Sequence, residues 1–193
     1  MGKGRVEAFS DGVIAIIITI MVLELKAPHG DDWAALTKLL PTFLSYVLSF
    51  VYVAIYWNNH HHMMHASPRV NGAILWANMH LLFWLSLIPF ATAWMGENHY
   101  ARLPTALYGV ALLMPAIAYT LLQMAIVGLH GHEGALAKAV GRDLKGKISV
   151  VLYVTALVLA FFEPRLSLAI YVLVALIWLI PDRRIENALK SRD

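Results

Sequence analysis

The stretch Arg5-Val6-Glu7-Ala8-Phe9-Ser10-Asp11-Gly12 runs without a break into Val13-Ile14-Ala15-Ile16-Ile17-Ile18-Thr19-Ile20-Met21-Val22-Leu23-Glu24-Leu25. About 20 mostly apolar residues cross a hydrocarbon layer as a helix. Residues 6–25 meet that length, with Asp11 near one end and Glu24 at the other. At about 100° per residue, Arg5, Phe9, Gly12, Ile16, Ile20 and Leu23 fall within roughly 40° of one stripe, with Thr19 on its edge. Ser10 and Asp11 lie more than about 100° off that stripe, one on either side. A carboxylate at membrane depth is costly and seeks donors inside the bundle. The polar pair is therefore expected to face neighbouring helices, away from the apolar ladder.

The rest of the chain has the same character. Of its 193 residues, 60% are apolar and 14% charged, against about 45–50% and about 25% in a soluble domain. A domain this size buries only about 70% of its unfolded surface, too little to absorb the excess. Disordered chains, coiled coils and most soluble enzymes are excluded, and an all-α integral membrane protein is implied. Without Cys there is no disulfide framework, thiolate metal site or iron–sulfur cluster. A formal charge of +3 is too small to suggest a nucleic-acid partner.

Six segments read as transmembrane helices: residues 6–25, 36–58, 72–95, 103–127, 148–162 and 166–180. They make one six-helix domain over residues 1–193. The last two are short and share a tight Glu163-Pro164-Arg165 turn; two crossings are preferred over a hairpin that stays on one side. No cleavable signal peptide is expected, because Asp11 and Glu24 bracket the first run and no small-residue cleavage site follows.

Four of the 15 Lys and Arg residues, Lys26, Lys38, Arg102 and Arg165, fall on one side of these spans, and the other 11 on the N-terminal side. The positive-inside rule then places both termini in the cytoplasm. Glu24, Asp31, Asp32, Glu97 and Glu163 gather at the outer ends, either as ordinary solvated charges or as an acidic surface that concentrates cations. Tyr56, Trp57, Trp94, Tyr100 and Trp178 sit near span ends, as interfacial anchors do. The segment 130–147, rich in Gly, Ala and Lys, is the one cytoplasmic loop of any length and is expected to carry a short helix.

Pattern alone leaves two readings of the first-helix stripe. Ile16, Ile20 and Leu23 could pack against a neighbour or lipid. Symmetric copies could instead face one another around a pore, where an apolar ring gates by dewetting and a hydroxyl layer replaces ion hydration.

The residues resemble a known family. Arg5-x-x-x-Phe9-Ser10-Asp11 is similar to the signature of the transmembrane protein 175 potassium channels, found in animal lysosomes and bacterial membranes, and the likeness continues through Leu25. Tyr56-Trp57-Asn58-Asn59-His60-His61 resembles the end of the family's second helix, and Leu75-Trp76-Ala77-Asn78 and Ile88-Pro89-Phe90 its third. The motif likeness covers about the first 95 residues; beyond them only the helix count matches.

The resemblance implies a single-repeat bacterial channel in the cell membrane. It would be a homotetramer surrounded by lipid, with first helices around a central pore, passing K⁺ passively with no cofactor and no enzymatic step. It assigns the constriction to Ile16, Ile20 and Leu23, with Thr19 as an adjacent hydroxyl layer, which agrees with the stripe found by helical phase. It also assigns Arg5, Phe9, Ser10 and Asp11 to a polar network with Trp57, His60 or His61, and Asn78. That network would fix the packing of the pore helix rather than bind ions. Arg5 could instead line the cytoplasmic mouth or simply anchor the inner end. No Thr-Val-Gly-Tyr-Gly filter is present.

The run His60-His61-His62-Met63-Met64-His65 carries the alternative reading, a membrane-bound metal or haem protein, because imidazole and thioether suit copper or zinc. Its spacing is local and no carboxylate is interleaved, so no resident metal is expected. His80 reads as a bundle histidine, since a haem would need a second buried His at the same depth. A secondary transporter would show inverted repeats and a charged midplane site, and neither is visible.

Overall fold

The computed structural model describes residues 2–131 and 143–179. Its elements are α1 (Lys3–Leu23), a short α2 (Trp33–Lys38), α3 (Leu40–His65), α4 (Gly72–Ser86), α5 (Ile88–Glu97), α6 (Arg102–His130), α7 (Leu144–Leu159) and α8 (Pro164–Leu179), with no strand among the described residues. In hydrocarbon every backbone N–H and C=O must be satisfied within its own segment. A β-branched run such as Ile16-Ile17-Ile18, which would favour a strand in water, is therefore helical here.

Among the described residues, four helices are long and apolar enough to cross a membrane: Lys3–Leu23, Leu40–His65, Gly72–Glu97 and Arg102–His130. The protein is thus a multi-pass helical membrane protein. The Gly72–Glu97 span combines α4 and α5, which meet at Leu87. Pro89, two residues on, has no N–H to return to Leu85, which accounts for the interruption. Helices α7 and α8 have 16 residues each, about 24 Å at 1.5 Å per residue, less than the roughly 30 Å of hydrocarbon.

Several boundaries differ from those expected. The second span does not end at Asn58: α3 continues to His65, because polar residues on its last turns find partners. Tyr56 is therefore no interfacial anchor; it lies inside α3, buried edge-on against Tyr119 with ring centroids 6.2 Å apart. Residues 33–38 form a separate helix, capped by Asp32, whose Oδ1 accepts from Ala35 N at 2.7 Å. The last turn lies earlier than expected, at residues 160–163, and Pro164 opens α8 two residues before the expected start, where its fixed φ and missing N–H cost nothing. Ile180, residues 132–142 of the expected cytoplasmic loop with Lys138 and Arg142, and Arg183, Arg184, Lys190 and Arg192 lie outside the described residues.

Helix α6 is the hub, packed against α4, α5, α7 and α8, while α1 packs against α3, α4 and α5. One core cluster joins α1 to α3, α4 and α6 through Ile14, Ile17, Met21, Val53, Leu81 and Leu122. A second joins α3, α5, α6, α7 and α8 through Tyr52, Met95, Tyr108, Tyr153 and Tyr171. These tyrosines anchor polar tips in the second cluster. Ser49 Oγ lies 2.7 Å from Thr92 Oγ1 and 2.9 Å from Tyr108 Oη, and Tyr52 donates to the Tyr171 carbonyl at 2.6 Å. Two glycines permit close approach. A Cβ on Gly96 would stand 2.6 Å from Thr42 Cα, and one on Gly109 would strike the Tyr171 hydroxyl.

At the end of the bundle opposite the N-terminus, Tyr100 donates to the Pro41 carbonyl at 2.9 Å. Partial burial raises its phenol above the usual range. Lys26 and Glu97 approach to 3.9 Å, both well exposed, a pair worth little.

Candidate functional site

Helix α1 has two faces. Val6, Ser10, Ile14, Ile17 and Met21 are buried, spaced to form one stripe against α3, α4 and α5. On the opposite side Phe9, Ile16, Ile20 and Leu23 are 49%, 60%, 41% and 71% exposed. Arg5, Gly12 and Thr19 are exposed with them. The Thr19 hydroxyl donates back to the Ala15 carbonyl at 3.0 Å, which turns its oxygen lone pairs outward. The stripe read from the sequence lies within the exposed face, which also takes in Asp11, Ala15 and Val22.

The polar pair divides between two helices. Asn78 on α4 donates through Nδ2 to Ser10 Oγ at 2.9 Å, and Ser10 in turn donates to the Val6 carbonyl at 2.8 Å. On the other side of Asn78, its Oδ1 lies 2.8 Å from His60 Nε2. Because the amide oxygen can only accept, His60 carries its proton on Nε2. A donor chain therefore runs from α3 through α4 into the α1 backbone. Ser10, His60 and Asn78 are all buried, and each group left unpaired there costs about 1–3 kcal/mol.

Asp11 stands apart from this chain. Its Oδ1 accepts from the Trp57 indole Nε1 at 3.0 Å on the exposed side of the α1–α3 seam. Eight residues before Asp11, Lys3 donates through Nζ to the carbonyl of His65, eight residues after Trp57, at 3.2 Å. The equal steps show α1 and α3 running antiparallel in fixed register. His61 does not join the buried chain; its ring stacks between those of Trp57 and His65, with centroids 6.2 Å from each.

Of the expected network, then, Ser10, His60 and Asn78 come together, and Asp11 and Trp57 form a separate pair. Arg5 lies exposed at the α1 start. Phe9 stands at the edge of a groove between α1 and α4 that Val6, Leu75, Trp76, Asn78 and Met79 also line. Leu75, Trp76 and Met79 had no assigned role in the sequence reading; a helical wheel of α4 places them around Asn78 but cannot say that α1 is the neighbour.

The His60–His65 run does not act as one ligand set. His60 is committed to Asn78, and Met63 and Met64 are fully buried in the core. Among the described residues no three His, Asp or Glu side chains converge on a metal position. His80 accepts from Trp84 Nε1 one turn on, at 2.8 Å.

Comparison with known proteins bears on this geometry. The model of a family described as "Endosomal/lysosomal potassium channel TMEM175" matches residues 5–89, the stretch that holds α1, the α3 histidines and Asn78. A protein named as a potassium channel of Chryseobacterium sp. is 57% identical over 191 residues, 99% of this chain and 100% of that protein. A potassium channel of Streptomyces collinus is 35% identical over 125 residues, 61% of each chain. Among solved structures, a crystal structure titled as a lysosomal potassium-selective channel TMEM175 homolog from Chamaesiphon minutus superposes with a TM-score of 0.82 at 29% identity, covering 93% of this chain and 97% of that one. With a likeness that runs the length of both chains in sequence and in fold, this chain belongs to the TMEM175 family.

Proposed function

We propose that the protein is a potassium-permeable cation channel of the bacterial cell membrane. Four copies assemble with their α1 helices around a central pore and both termini in the cytoplasm. Helices α7 and α8 supply the fifth and sixth crossings, since short helices can span where the bilayer thins. Ile16, Ile20 and Leu23 form an apolar constriction, with the Thr19 oxygens as a polar layer within it. Conduction is passive and needs no cofactor.

The observation that carries this reading is the exposed face of α1. Its buried face already satisfies α3, α4 and α5, so Phe9, Gly12, Ile16, Thr19, Ile20 and Leu23 remain for a partner outside the chain. Ala8, Gly12 and Ala15 on the same side let another helix approach closely. An apolar ring excludes ions by dewetting when narrow, and hydroxyl oxygens compensate for lost hydration. The relatives carry printed names as potassium channels, which fixes the ion to be tested first.

The Ser10–Asn78–His60 chain and the Asp11–Trp57 pair then hold the angle and register of the pore helix. They are positioning groups, outside the ion path. Arg5, on the exposed stripe at the inner end, contributes positive charge at the cytoplasmic mouth. The test is flux from proteoliposomes under opposed K⁺ and Na⁺ gradients. K⁺ efflux clearly exceeding Na⁺ efflux supports the reading; vesicles no leakier than protein-free controls refute it.

A further inference from the structure

The His60–His65 run retains one unused pair. His60 turns inward to Asn78, and Met63 and Met64 point into the core, but His61 and His65 are exposed. They are four residues apart on the last two turns of α3, so they stand on one face of the helix with Cβ atoms about 5–6 Å apart. Their rings are near-parallel, 20° between planes, with centroids 6.2 Å apart. The His61 ring stacks on those of Trp57 and His65 and meets His62 edge-on, with centroids 5.6 Å apart. We propose that His61 and His65 chelate a divalent transition-metal ion of the copper, nickel or zinc class at this surface.

The chemistry follows from spacing and ligand type. Two histidines at i and i+4 on a helix can bind one ion from the same face, the spacing used in helical zinc sites. Imidazole nitrogen suits these ions, and affinity within the class rises to a maximum at Cu²⁺. The ligand bonds are about 2.0–2.1 Å for imidazole nitrogen on zinc, so modest rotation about the side-chain bonds brings both rings onto one ion, with water in the remaining positions.

The local charges act in both directions. Asp11, hydrogen-bonded to the Trp57 ring that stacks on His61, favours a cation. The Lys3 ammonium at the His65 carbonyl opposes it. An open two-imidazole site beside a lysine is an exchangeable site, responsive to metal concentration, rather than a structural one.

The test uses the full chain, purified in detergent without a polyhistidine tag, titrated with Cu²⁺ alone. Heat of binding and tryptophan fluorescence are followed together. One Cu²⁺ per chain is expected. Loss of even an outer-shell partner costs about 10–100-fold in metal affinity, so His61→Asn and His65→Asn should each weaken binding at least as much. His99→Asn, in the turn between α5 and α6, should leave it unchanged. The bound ion lies beside Trp57, so Trp57→Phe should keep the binding heat and lose most of the fluorescence quenching. Unchanged binding in the double His61→Asn/His65→Asn variant would overturn the proposal. So would quenching that persists in full after Trp57→Phe, a readout that does not depend on altering either ligand.

Discussion

Ser10 and Asp11 are adjacent in the chain, yet their side chains hold α1 to different helices: Ser10 accepts from Asn78 of α4 inside the bundle, and Asp11 accepts from Trp57 of α3 at the exposed seam. One step along a helix turns a side chain by about 100°, so two neighbouring residues can pin a helix from two sides. A helix fixed in this way cannot rotate to bring its Ile16, Ile20 and Leu23 face inward without breaking both contacts.

Removing the central member of the buried chain should be costly. Asn78→Leu leaves the His60 N–H and the Ser10 hydroxyl oxygen without their partner, at about 1–3 kcal/mol for each group. The expected outcome is a clearly lowered midpoint of thermal unfolding in detergent. A midpoint equal to wild type would show that the chain contributes nothing to packing.

Asp11→Ala should act on assembly more than on ion preference. The carboxylate touches Trp57 and lies off the α1 stripe, so its loss loosens the register of α1 against α3. Size-exclusion profiles should shift toward smaller or heterogeneous species, while the fraction that assembles keeps its K⁺/Na⁺ ratio. A homogeneous oligomer with altered selectivity would place Asp11 in the ion path.

Gly109→Ala tests the second core cluster. The added methyl meets the Tyr171 hydroxyl, and overpacking of this kind costs about 1–3 kcal/mol. Tyr171→Phe removes the clashing oxygen along with its contact to the Thr105 carbonyl. The double variant should therefore be less destabilised than the sum of the two single changes, a coupling that a thermal-melt double-mutant cycle reads directly.

Ile16→Asn should widen and wet the constriction. Ile16 is 60% exposed on the unpartnered face, so the change should be tolerated in folding. Liposome flux should show Na⁺ permeation rising until the K⁺/Na⁺ ratio approaches unity. An unchanged ratio would remove Ile16 from the constriction.

The direction of each residue on α1 was legible because helical phase needs no tertiary information: the apolar stripe, and the divergence of Ser10 and Asp11 from it, follow from residue numbers alone. Asn78 and Trp57 as partners came from motif likeness, and the choice of His60 over His61 needed coordinates, since both lie on the same turn of α3. The end of α3 was misplaced because the apolar run stops at Asn58, whereas the helix is carried on by polar side chains that bond within the bundle. The Asn59 amide returns to the Ile55 carbonyl at 2.9 Å, and Tyr119 donates to the Asn59 carbonyl at 3.2 Å. The roles of Gly96 and Gly109 were not legible, because each depends on which distant backbone or tyrosine comes to lie against it.

The central claim, that the exposed face of α1 lines the ion path, can be tested on a chain that contains no cysteine. Leu23→Cys would place a unique thiol on the stripe, and Leu173→Cys a matched thiol on the exposed surface of α8. K⁺ flux from proteoliposomes would be measured before and after a small, water-soluble, positively charged thiol reagent. The account predicts that flux through the Leu23→Cys protein falls sharply on modification, while the Leu173→Cys and wild-type proteins conduct as before. Flux through the Leu23→Cys protein that is unaffected, with modification verified by mass, would contradict it.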